Sequence, residues 1–408
     1  MTILILYTVF FLIMIWLTLG KKQNVTYRVI LYYFLLGSLC AWYIRFRPNL
    51  EYMDIPLSVE AILYHCLMLC MLIYPFKKFK RFENVTFNSP DTAILNCLIA
   101  FVVPISLLYI YISIAATDLR MILVDVQSMR QNLIDTAGES GTLHTYLRAF
   151  GNSFHGLALS IAFYYIIKKP SNTFLIYLLL LCSLSPVIHS LNFAAREYVA
   201  KYFFVFFMLC LLFKQRIDSG WKKKLMRFVL VGVVLGAFFF IIVTIIRFTN
   251  GARYSNPVDS IFAYLGQGYC NFSQRYLDFP DGATGGRIHF TLFSNGSALT
   301  SFNLNQEIRS DYYLNTFATT VGSWVIDIGI WFTTIAVLVH FLLFKLIGRL
   351  QLNIFTLYYV IYAYEFIFSC LFFYNDTIGK QRMETILFVI LLDILNRWFQ
   401  GKNNAYKI

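Results

Sequence analysis

Residues 91–115 read DTAILNCLIAFVVPISLLYIYISIA, and no charge interrupts the chain between Asp91 and Asp118. An α-helix rises about 1.5 Å per residue, so a stretch of this length spans the roughly 30 Å hydrocarbon layer of a bilayer. Ten further apolar stretches lie at 2–19, 27–44, 55–75, 149–167, 172–191, 197–213, 225–247, 316–343, 353–373 and 383–399. The spacing predicts one all-α integral membrane domain over 1–408, a polytopic bundle of about 11 transmembrane helices. The chain is 59% apolar and only 13% charged, whereas a soluble domain carries about 25% charge. The first stretch, Thr2 to Leu19, has no basic leader and no small-residue cleavage site, so it reads as a retained helix rather than a signal peptide.

The net charge is +13. In a soluble protein that excess would suggest nucleic acid. Here membrane topology accounts for much of it, and no nucleic-acid partner is expected. Lys and Arg concentrate in alternate loops: 20–28, 77–90, 168–171, 214–227, 345–349 and the tail from Arg397. The positive-inside rule puts this set in the cytoplasm, with the N-terminus outside and the C-terminus inside. The inner set holds 14 Lys and 6 Arg; the outer set holds 12 Arg and only two lysines, Lys201 and Lys380. Inner clusters such as Lys77-Lys78-Phe79-Lys80-Arg81 and Lys222-Lys223-Lys224 read as anchors beside anionic lipid.

Arginine on an outer face calls for another explanation. Its planar fork suits phosphate and diphosphate. The outer arginines are Arg45, Arg47, Arg120, Arg130, Arg148, Arg196, Arg247, Arg253, Arg275, Arg287, Arg309 and Arg382. Structural pairing is the simpler reading for any single one, with Glu197, Asp259, Asp278, Asp281, Asp311 and Asp376 as available carboxylates. For the set it is weaker, because lysine would often serve a simple pair.

Seven of the eight cysteines fall within apolar stretches, and Cys270 alone lies in an outer loop, so no disulfide framework is expected. Cys66 and Cys70 share a helix face without nearby His or carboxylate partners, which favours core packing over a metal. No metal or cofactor is expected. Two outer loops are long, 117–148 and 248–314, and long loops on a membrane scaffold tend to carry function. The second contains Gly266-Gln267-Gly268-Tyr269 and Phe279-Pro280-Asp281-Gly282-Ala283-Thr284-Gly285-Gly286. Its Tyr and Phe beside Asn, Asp and Gln fit a sugar-binding surface or an interfacial aromatic belt equally well.

The apolar stretch after Tyr312 is too long for one upright span. Either Leu314 to Ser323 is re-entrant or interfacial, with the crossing starting near Trp324 and Asp327 near the outer surface, or the helix is tilted. His289 stands two residues from Arg287, so the two face alike on an extended segment. It reads either as a satisfied loop histidine or as a group that deprotonates or positions a hydroxyl. There is no P-loop, no Gly-rich strand-turn-helix unit and no zinc spacing. With no sizeable soluble domain, a donor substrate must be reached from the membrane, which favours a lipid-linked one.

Three local patterns go with this layout: Asn192 to Tyr198 with Arg196; Tyr313-Leu314-Asn315-Thr316-Phe317 followed by Gly322 and Asp327-Ile328-Gly329; and Arg-x10-Gly at Arg130/Gly141 and Arg275/Gly286. With its two dominant loops and missing cytoplasmic domain, the chain resembles the oligosaccharide repeat-unit polymerases of bacteria, the O-antigen or Wzy-type family. The resemblance implies a GT-C-like, metal-independent glycosyltransferase of the bacterial inner membrane with both long loops in the periplasm. It would join undecaprenyl-diphosphate-linked repeat units, donor to acceptor, alongside a chain-length regulator protein. On that resemblance Arg196, Arg247, Arg253 and Arg275 would hold diphosphates. Arg130, Arg287 and His289 would meet the leaving group or acceptor as the catalytic set. Asn315 and Asp327 would complete the substrate contacts, Asp327 holding an arginine or a helix end rather than acting as a base. An O-antigen ligase shares the layout and chemistry. A non-enzymatic flippase or exporter of lipid-linked glycan also needs cations, but should line a path across the membrane with them.

Overall fold

A computed structural model describes residues 2–19, 25–47, 55–115, 142–191, 197–249, 257–290, 319–371 and 380–405. Regular structure among them is helical throughout. In chain order the α-helices are α1 (Ile5–Trp16), α2 (Val25–Arg45), α3 (Val59–Ile73), α4 (Thr92–Ala115), α5 (Thr142–Lys168), α6 (Thr173–Ser183), α7 (Ser185–Leu191), α8 (Glu197–Leu212), α9 (Ser219–Thr249), α10 (Pro257–Asp278), α11 (Thr319–Ile347), α12 (Ile354–Ser369) and α13 (Lys380–Ala405). Among the described residues, each of the eleven apolar stretches coincides largely with a helix or, at 172–191, with the pair α6 and α7. Five segments of the described chain are long and apolar enough to cross a membrane: Val25–Arg45, Val59–Glu83, Thr92–Ala115, Thr173–Ser190 and Thr319–Ile347.

The chain divides into two compact units. The first comprises Met1–Arg81, Tyr254–Arg349 and Glu365–Lys380. Its centre is α10, which lies within what reads in the sequence as a loop. It runs antiparallel to α2: Tyr43 meets Asp259 and stacks on Phe262, Gly266 abuts the backbone at Cys40 and Ala41, and the Tyr269 hydroxyl donates to the Phe34 carbonyl at 3.1 Å. A Cβ at Gly266 would stand 2.4 Å from the Ala41 nitrogen, so only glycine permits this approach. Its other face carries Gln267, Asn271 and Gln274 at helical spacing, all buried. That polar stripe lowers the helix's apolar content and disguises it as loop.

A 3-10 helix, Tyr74–Glu83, follows α3 directly. Phe76, Phe79 and Phe82 recur every third residue and are buried, matching the three-residue turn. Between them Lys77 lies over the rings of Tyr27 and Tyr74, and Arg81 donates to the Arg349 carbonyl at 2.7 Å.

The second unit comprises Phe82–Arg253, Leu350–Tyr364 and Gln381–Ile408. Here α5 packs against α4 and α6, and its glycines admit rings closely: Gly151 lies under Tyr109 of α4, and Gly156 under Tyr358 of α12. Ser183 bonds the Tyr202 hydroxyl at 2.7 Å, and Phe163 meets Phe206, bringing α8 into the same core. At the other end Asn353 donates to Asp393, which also pairs with Arg397 at 2.7 Å.

From Thr319 on, the long stretch after Tyr312 forms a hairpin of helices. α11 is broken at Gly329, where φ is +75° and ψ is 175°. Residues 319–328 form one helical segment and 330–347 the next. The ring of Trp324 lies 5.1 Å from that of His340. A straight helix would separate positions sixteen apart by about 24 Å, so the first segment doubles back on the second. Every residue from Thr319 to Asp327 is buried. The break at Gly329 divides the described stretch into two shorter helical segments.

Candidate functional site

The doubled-back helix creates a problem of hydrogen bonding. At Gly329 one helix ends and another begins, leaving carbonyls on one side and amides on the other without intrahelical partners. Away from water each such group costs several kcal/mol, on the order given for apolar media. The segment 279–290 that follows α10 supplies the partners. Ala283 N–H donates to the Ile326 carbonyl at 2.7 Å and Gly286 N–H to the Asp327 carbonyl at 3.2 Å, while the Pro280 carbonyl accepts from Ile330 N–H at 2.8 Å.

Two glycines make the approach possible. Gly282 has φ +79°, and a Cβ there would sit 2.5 Å from the Gly329 nitrogen. At Gly329 a Cβ would sit 2.6 Å from the Asp281 carbonyl carbon.

Asp327 fixes the rest of the segment. Its side chain is fully buried. One carboxylate oxygen accepts from the Thr284 hydroxyl and from Ile288 N–H at 3.1 Å; the other accepts from His289 N–H at 2.9 Å. The carboxylate thus caps the turn that carries Arg287 and His289, and Phe290 N–H closes that turn on the Gly286 carbonyl at 2.9 Å. Phe290 packs edge-on against Trp324. His289 is 3% exposed, and Arg287 is half-buried.

Arg275 stands four residues before this segment, in the last turn of α10, and is 1% exposed. Burial pulls its guanidinium down to about 10, an effect that nearby Asp278 opposes. It remains protonated at neutral pH. Burial in turn pushes the Asp278 carboxyl up, and the Arg275 charge acts against that rise.

The structure therefore gathers Arg275, Arg287, His289 and Asp327 in one unit, tied through the backbone of 279–290 and the Asp327 carboxylate. It makes Asp327 the holder of a turn rather than of an arginine. Arg130, Arg196, Arg253 and Asn315 lie outside the described residues, and Arg247 falls within α9 without a described side chain. Two other outer arginines have structural duties. Arg45 donates to the Ile55 carbonyl at 3.0 Å, and Arg47 bonds the Tyr43 hydroxyl, lies over its ring and pairs with Asp259 at 3.4 Å.

One cluster escapes the sequence reading altogether. His65 reads as a packed histidine in an apolar span. It is packed, yet its Nδ1 bonds the Tyr7 hydroxyl at 2.8 Å and its Nε2 bonds the Thr319 hydroxyl at 3.1 Å. Its ring also stacks on Phe272, centroids 4.0 Å apart. The partners are 58 and 254 residues away, so no local spacing announces them. Among the described residues no group of three His, Cys, Asp or Glu is placed to hold a metal ion. Comparison with protein-family models, curated proteins and solved structures returned no match.

Proposed function

We propose that this chain is a glycosyltransferase of the Wzy-type kind, extending undecaprenyl-diphosphate-linked oligosaccharide repeat units on the periplasmic face of a bacterial inner membrane. The observation that carries the reading is a buried, protonated arginine followed within fourteen residues by a rigidly capped turn bearing Arg287 and His289.

The chemistry needs little more. A hydroxyl oxygen of the acceptor sugar attacks the anomeric carbon of the donor. The bond from that carbon to the diphosphate oxygen breaks, and its electron pair leaves with the diphosphate. Negative charge grows on the leaving group, where guanidinium groups stabilise it more in the transition state than in the ground state. Arg275 and Arg287 serve that role in the described chain, with Arg130, Arg196, Arg247 and Arg253 as further members of the set. His289 is the group in the capped turn able to take the proton from the attacking hydroxyl. A sugar–diphosphate bond already carries its leaving group, so the route needs no cofactor.

The test is glycan chain length in cells that depend on this protein. Arg275→Lys keeps a positive charge but removes the fork, and the expected result is glycans of a single repeat unit at normal protein level. Wild-type chain length in that variant would overturn the assignment. Purified membranes given lipid-linked repeat units alone should still lengthen glycans. A requirement for lipid A core would instead identify an O-antigen ligase.

A further inference from the structure

The helical segment 319–328 is held at both ends. At its outer end, Asp327 and Gly329 meet the 279–290 segment as described. At its other end lies Thr319, fully buried, with φ at +66°, a conformation that a β-branched residue rarely adopts. Something must over-determine that backbone. Three ties do so. The Thr319 hydroxyl accepts from Gly322 N–H at 3.2 Å and bonds His65 Nε2. Thr320 N–H donates to the Cys370 carbonyl at 3.2 Å, and the Thr320 hydroxyl donates to the Ser369 carbonyl at 3.1 Å. His65 in turn is fixed by the Tyr7 hydroxyl and the Phe272 face.

Either neutral tautomer of His65 completes the relay. With Nδ1 accepting from Tyr7, Nε2–H donates to Thr319; with Nδ1–H donating to Tyr7, Nε2 accepts from the Thr319 hydroxyl. One imidazole therefore links α1, α3 and the start of 319–328, while its ring rests on α10.

We infer that His65 is a positioning residue: through Thr319 it sets the lengthwise placement of the 319–328 segment, and through Asp327 at the far end it sets the turn that presents Arg287 and His289. A helix of this length moves as a rod. If its start slides, the Asp327 carboxylate leaves the amides of Ile288 and His289. The inference rests on the transferase reading for its consequence in catalysis, but the mechanical tie stands apart from it.

The experiment uses the purified full-length protein in lipid nanodiscs, with amide hydrogen exchange and chain lengthening measured side by side. His65→Phe keeps the stack on Phe272 and removes both hydrogen bonds. Thr319→Val keeps the β-branched shape and removes the hydroxyl. Both should raise exchange at least tenfold in 284–290 and 319–328, leave α4 unchanged, and slow glycan lengthening at least tenfold. His65→Gln and Thr319→Ser retain bonding groups and should return both readouts to within threefold of wild type. Unchanged exchange in 284–290 for both His65→Phe and Thr319→Val overturns the inference, whatever activity does. So does a rise spread evenly through both units, which would mark general destabilisation. Raised exchange with wild-type lengthening overturns the positioning role. Wild-type lengthening in Arg275→Lys defeats the transferase reading alone and leaves the tie between His65 and the turn intact.

Discussion

At the scale of single residues, the site turns on where charge is spent. Asp327 places both carboxylate oxygens on donors of one turn, so in the proposed reaction it acts through Arg287 and His289. Asp327→Asn preserves shape but turns one acceptor into a donor facing a backbone N–H. A hydrogen bond to a charged group is worth about 1.5–3 kcal/mol, and the N–H left facing a donor adds its desolvation cost. The expected outcome is faster exchange of the Ile288 and His289 amides, with glycan lengthening reduced at least tenfold and the protein still folded. Exchange rates equal to wild type would show that the cap does not hold the turn. The sequence discloses Asp327 because a lone acid after an apolar run stands out. It does not disclose what Asp327 holds, because Thr284, Ile288 and His289 lie about forty positions away. The same distance problem hides His65, whose polar partners lie on other helices and are not written in its neighbourhood.

At the scale of elements, the most exacting one is the break in α11. Gly329 occupies a backbone region that is essentially reserved for glycine, where another residue costs on the order of 1–3 kcal/mol. The added Cβ of Gly329→Ala would also overlap the Asp281 carbonyl group, with its oxygen 2.8 Å away. This variant should lower the thermal unfolding midpoint clearly more than Gly285→Ala, where no atom lies within 4 Å of the added carbon although φ is +59°. Equal midpoints would mean that the close approach of 280–282 to the helix break does not contribute to stability. These elements also show what periodicity can and cannot convey. Apolar runs such as 91–115 disclose themselves, because lipid-facing and buried sides are both apolar. The excess length after Tyr312 discloses that the stretch is more than one upright helix, but not that the break falls at Gly329. α10 stays hidden, because its Gln267, Asn271 and Gln274 read as loop chemistry while its glycines and Tyr269 do the packing.

For the whole molecule, the partition of arginine from lysine between alternate loops is the feature on which the proposed function rests. Four of the six arginines that the sequence places inside hold ordinary acceptors: Arg28 the Thr18 carbonyl, Arg81 the Arg349 carbonyl, Arg216 the Glu83 carbonyl and Arg397 the Asp393 carboxylate. A lysine reaches any of these with one N–H and loses about 1 kcal/mol each. Of the twelve that the sequence places outside, Arg45 and Arg47 hold a carbonyl and a carboxylate, and for the other ten the fork itself is the proposed requirement. Charge and shape can therefore be separated across the entire chain. Replacing the ten by lysine preserves the net charge of +13 and the excess of basic residues in the loops that the sequence places inside, so a C-terminal fluorescent fusion should report the same side of the membrane in variant and wild type. Glycan lengthening should nevertheless vanish. Replacing the six inner arginines by lysine should cost some stability and leave chain length near wild type. If the two sets behaved alike, both tolerant or both inactive, positive charge alone would account for the outer cations, and a guanidinium grip on diphosphate would have no support.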